Sequence, residues 1–176
     1  MESKNSQLRH ALIYGSVTGG IIVIYLLILY IFGMMNNMKL VNMAGVFFII
    51  GAFISVKLYR DTVMGGFLSF SKAYGTALLT FMVTGVVWGI YGYILFKYLA
   101  PGLLEEKIAQ AQDALLQLGW SEERVEAYSE LIGQSQTAFT NAFGYVLNAT
   151  FWGALLSLII GVWLKRSENP LLKDID

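Results

Sequence analysis

The sequence has no cysteine, one histidine (His10), two prolines and few charges. Each shortage excludes something. Without cysteine there is no disulfide, no thiolate metal site and no cysteine nucleophile. A single histidine cannot build a multi-histidine metal centre or a bis-histidine haem site. Charged residues make up only 14% of the chain, against roughly 25% in soluble domains. With 56% of residues hydrophobic, too few polar groups remain to cover a surface in water. The net charge is 0 and Lys and Arg form no cluster, so no nucleic-acid partner is expected.

What is present is a set of long apolar runs. Crossing a hydrocarbon core about 30 Å thick takes roughly 20 apolar residues at ~1.5 Å each. Four segments meet that length, 11–32, 40–59, 74–96 and 139–164. The second is the shortest, and reaches Tyr59 only if Lys57 snorkels toward the interface. The first is longer than the ~7–15 residues of a signal-peptide core, and no small-x-small cleavage site follows it. It reads as a retained span. The expected fold is all-α: one membrane domain over 1–176, an integral membrane four-helix bundle in contact with the lipid bilayer.

Lys and Arg set the orientation of such a chain. One side collects Lys4, Arg9, Lys57, Arg60, Lys72, Lys165, Arg166 and Lys173, eight in all. The other has four, Lys39, Lys97, Lys107 and Arg124, the last three spread among seven acidic residues. Both termini are therefore predicted to be cytoplasmic. Residues 100–138 form a helical extramembrane insertion between spans three and four. Leu104, Ile108, Ala111, Leu115 and Leu118 recur at helical spacing, and Gly119-Trp120 breaks the pattern. Ser121 then reads as an N-cap ahead of Glu122 and Glu123, whose charges suit a helix N-terminus. A stripe of this kind is read as packing surface before binding site.

In the interior of the spans so drawn there is no Asp, Glu, Lys, Arg or His, Lys57 standing near the end of the second. That argues against coupled transport on a buried carboxylate and against intramembrane hydrolysis, although backbone carbonyls could still bind ions. No catalytic residue, cofactor or metal is expected. Met34, Met35, Met38 and Met43 cluster, but lack the Cys or His that a soft-metal site would add. The remaining polarity is mild. Thr76, Thr80 and Thr84 share one face of span three, and Asn141 and Asn148 share one face of span four. Thr80, Thr84, Asn141 and Asn148 form a candidate polar seam that either lines a small cavity or bonds helix to helix, and the second use is expected. Asn148-Ala149-Thr150 matches a glycosylation pattern but lies inside a span.

Small residues at four-residue spacing mark close helix approach. Gly15 and Gly19 form one such pair, Gly85 and Gly89 another, and Ala149, Gly153, Ser157 and Gly161 a ladder. They could pack helices within the bundle or between subunits, which leaves a homo-oligomer or a membrane-protein partner open. Tyr30, Phe32, Tyr59, Tyr91, Tyr93, Tyr98 and Trp163 stand where interfacial aromatic belts belong.

The stretch GGFLSFSKAYGTALLTFMVTGVVWGIYGYILFKYLAPG, Gly65 to Gly102, joins a glycine turn, a Phe-x-x-Phe-Ser-x-x-Ala entry and a tyrosine-rich span ending in Lys-Tyr-x-x-Pro. With the insertion and the last span, it resembles the small bacterial membrane proteins of the domain-of-unknown-function 4199 family, typical of the Bacteroidetes. The resemblance implies four spans in a bacterial inner membrane. It carries over no activity and no functional residue. The expected role is that of a non-enzymatic inner-membrane protein acting by association with itself or another membrane protein. The alternative is a transporter or channel for small or neutral solutes.

Overall fold

The computed structural model describes residues 2–166. Four of its helical stretches are long and apolar enough to cross a membrane: Asn5–Ile31, Met38–Val63, Phe70–Leu99 and Ala138–Leu164. The first begins before the apolar run and the third outlasts its run at both ends. A helix in or beside lipid keeps its own backbone hydrogen bonds because nothing cheaper is on offer, so it does not stop where hydropathy falls.

The elements in chain order are α1 (Glu2–Ile31), α2 (Met38–Asn42), α3 (Ala44–Leu58), α4 (Phe70–Ile94), α5 (Gly102–Gln117), α6 (Glu122–Ser135) and α7 (Ala138–Leu164). The second span is built in pieces. Asn37 caps α2, its side-chain oxygen accepting from the N–H groups of Lys39 and Leu40 at 3.2 and 3.4 Å. A single turn residue, Met43, separates α2 from α3, which widens into a π-helical turn at Tyr59–Val63. A second π-helical turn, Leu95–Leu99, follows α4. Gly65 and Gly66 make the turn into α4 with φ of 63° and 90°, a region in which a Cβ would clash with the backbone.

By contacts the chain forms two compact units. One takes in the described residues up to Val87 and from Leu147 onward; the other is Trp88–Val146. The first is a bundle whose core draws Ile22 and Leu26 from α1, Ala52 and Val56 from α3, Ala77 and Phe81 from α4, and Ile160 from α7. Its loop before α4 is stitched to the end of α7: Leu68 and Arg166 exchange backbone hydrogen bonds of 2.9 and 2.8 Å. The second unit holds the hairpin of α5 and α6, turned at Gly119 with φ 85°. Val125 is buried there, whereas Leu118 is 76% exposed because α5 ends at Gln117 and leaves it in the turn.

Candidate functional site

The polar side chains of the first unit gather where α1, α3 and α4 meet. Thr76, Thr80 and Thr84 lie on one face of α4 and are buried, as the four-residue repeat requires. Each donates its hydroxyl hydrogen to the carbonyl four residues back, on Lys72, Thr76 and Thr80 respectively, at 2.8 Å. Their lone pairs remain for other helices. Thr76 Oγ1 accepts from the Gln7 amide at 3.0 Å, and Gln7 also donates to the Lys72 carbonyl at 3.1 Å. Thr80 Oγ1, its hydrogen already committed, accepts from Ser55 Oγ of α3 at 2.9 Å. Thr84 shares its hydrogen with the Gly15 carbonyl of α1 at 3.1 Å.

His10 completes the cluster. Its Nε2 lies 2.9 Å from the Ser55 carbonyl, which can only accept, so Nε2 carries the hydrogen. The ring sits against Tyr14 at 4.3 Å and edge-on to Tyr59 at 5.1 Å. The same Ser55 carbonyl receives the Tyr59 N–H at the mouth of the π-helical turn. Sequence reasoning missed this residue by starting the first span at Ala11. His10 was expected outside the spans; it lies inside the first one, buried one turn before Tyr14 on the side of α1 that meets α3. Tyr59 and Tyr91, expected at the bilayer interface, are also buried, at 1% and 6% exposure.

The candidate packing residues lie in interfaces within the chain. A Cβ on Gly15 would stand 2.7 Å from Val83 Cβ, and one on Gly19 2.6 Å from Val87 Cβ, so α1 and α4 approach through glycine. On α7, Gly153 meets Phe81 and Gly161 meets Phe70, while Ser157 between them is fully buried. Gly85 is buried as well. In the second unit Gly89 lies against Val146 and the Ala142 carbonyl. Of the candidate seam, the structure brings Thr80 and Thr84 together and leaves the asparagines apart. Asn141 bonds to Gln136 and to the Thr137 carbonyl at the start of its own helix, at 2.6 and 3.1 Å. Asn148 is exposed. A cavity of about 210 Å³ between α1 and α3 is lined by Val17, Ile21, Phe47, Ile50 and Ile54, with Thr18 turned back to the Tyr14 carbonyl.

The second unit has its own cluster. Lys107 of α5 donates to the Tyr145 hydroxyl at 3.0 Å and stands 4.4 Å from the centre of the Phe96 ring. Tyr145 stacks on Trp88 at 4.3 Å, and its ring occupies the space a side chain at Gly92 would need. Burial among these groups holds the Lys107 amine below its usual pKa. Nothing in the spacing of Lys107 among its acidic neighbours signalled this role. Among the described residues no group of three or more His, Cys, Asp or Glu is placed to hold a metal ion.

Residues 13–166 match the family described as "Protein of unknown function (DUF4199)", and the chain belongs to that family. No curated protein matches the chain. No solved structure matches it.

Proposed function

We propose that this membrane protein is non-enzymatic, sits in a bacterial inner membrane with both termini in the cytoplasm, and acts by associating with itself or with another membrane protein. The observation that carries the reading is the state of four buried hydroxyl groups where α1, α3 and α4 meet. Ser55, Thr76, Thr80 and Thr84 are each at most 1% exposed, and every hydroxyl hydrogen among them goes to a neighbouring helix or to its own backbone. Groups spent in this way join helices and offer a solute nothing to bind. The apolar lining of the cavity between α1 and α3 points the same way.

The orientation has support of its own. Gln7 bonds to Lys72, and Leu68 to Arg166, so the start of α1, the start of α4 and the end of α7 lie at one end of the first unit. Arg9, Lys72, Lys165 and Arg166 belong to that end, as a cytoplasmic face requires. Lys173, also counted toward it, lies outside the described residues. Reporter fusions at both termini are expected to read as cytoplasmic, and a periplasmic C-terminus would overturn the topology. In reconstituted liposomes, solute permeability is expected to equal that of protein-free vesicles. Saturable flux of a neutral solute would instead establish the transporter reading.

A further inference from the structure

The face of α7 that packs in the bundle carries Gly153, Ser157 and Gly161. The opposite face runs Asn148, Trp152, Leu155, Ile159 and Val162, in steps of four and three, and all five are exposed. Four of them suit lipid. Asn148 does not. It stands three residues from the midpoint of Ala138–Leu164, or about 4.5 Å along the axis at ~1.5 Å per residue. A carboxamide has two donors and two acceptor lone pairs, and hydrocarbon satisfies none of them. Among the described residues Asn148 has no hydrogen-bond partner.

We infer that this face of α7 is a homodimer interface, in which Asn148 of each of two copies exchanges carboxamide hydrogen bonds with the other. The occupant follows from charge complementarity. An amide carries its own complement, a negative carbonyl end and a positive N–H end, and a twofold axis sets each against the other. All copies share one topology in the membrane, so the axis runs along the membrane normal and Asn148 meets its counterpart at equal depth. The alternating four-three spacing is that of a left-handed helix pair, in which a single polar position sets register and pairing number. Trp152, Leu155, Ile159 and Val162 supply the apolar remainder of the seam. The inference rests on the association reading above and names the partner.

The test uses the full chain in phosphatidylcholine vesicles, with energy transfer between labelled copies followed as lipid dilutes them. The wild type is expected to dimerise reversibly. Asn148→Leu is expected to weaken the dimer about tenfold, and Asn148→Gln to retain it. Because the chain has no cysteine, single cysteines report the face directly. Leu155→Cys and Val162→Cys are expected to cross-link between copies, whereas Ile54→Cys, on the exposed side of α3, is not. Equal affinity for wild type and Asn148→Leu, or equal cross-linking at position 54, would overturn the interface. A wild type monomeric at every dilution would overturn it too, while leaving association with a different membrane protein standing. That broader reading falls only to the solute flux described above.

Discussion

Where α1 meets α4 in the first unit, contact is made by Gly15, Gly19 and the hydroxyl of Thr84 on a backbone carbonyl. In the second unit it is made by Trp88, Tyr145 and Phe96 around the amine of Lys107. The first arrangement works by close backbone approach and short polar groups. That is how helices associate when lipid tails are as apolar as the side chains and burial alone gives no drive. The second works by large rings with polar tips and a long amphipathic cation, side chains suited to a boundary that is apolar on one side and wet on the other. The two units thus show two solutions to helix adhesion in one short chain.

Several substitutions would break or sharpen this contrast. The largest effect is expected from Gly153→Leu, because a Cβ there would lie 2.5 Å from Phe81 Cβ and α7 could not stay against α4. A loss of about 3 kcal/mol is expected in denaturation from mixed micelles, far more than for exposed Asn148→Ala. The reverse order would mean that glycine contacts are not what holds the first unit. Next comes Tyr145→Ala, which removes the Trp88 stack and the acceptor of Lys107 at a cost of about 2–3 kcal/mol. Hydrogen exchange should rise in α5 and α6 and stay unchanged through α1 and α3. A uniform rise would erase the distinction between the units.

Thr80→Val is expected to cost about 1 kcal/mol, since it strands the Ser55 hydroxyl in a dry interface. A neutral outcome would show that shape and not hydrogen bonding holds α3 to α4. The smallest effect is electrostatic. Burial lowers the Lys107 pKa below its ordinary 10.5, so the folded unit binds fewer protons than the unfolded chain just below that value. The penalty on the charged amine is in force at lower pH and lifts as pH rises toward 10.5. Wild type should therefore gain stability relative to Lys107→Met as pH is raised from neutrality. A constant difference would mean that the rings and the Tyr145 hydroxyl fully offset burial.

Most of the class of fold was legible in the sequence, and little of the candidate site. Length and hydropathy are local properties, so the four spans and the break at Gly119 could be read without knowing any neighbour. The threonine repeat likewise announced a shared face. His10 was missed because hydropathy places a span's edge at the last polar residue, while a helix buries whatever its period brings round. Asn148 was grouped with Asn141 by seven-residue spacing, yet spacing says which residues share a face and not what that face meets. Lys107 looked like one more solvated charge among acids, and only the fold sets Tyr145 and Phe96 around it.

The sequence by itself determined that this chain enters a bilayer, how many times its helices can cross and where an amphipathic hairpin interrupts them. Uncharged runs near 20 residues leave a backbone no other way to keep its hydrogen bonds in lipid. Tertiary structure alone decided how the polar residues are used. Ser55, Thr80 and His10 face helices and bond to them, while Asn148 faces outward and has no hydrogen-bond partner among the described residues. In lipid the side to which a helix turns a polar group depends on which neighbour comes close enough to bond it, and that contact joins residues far apart in the chain.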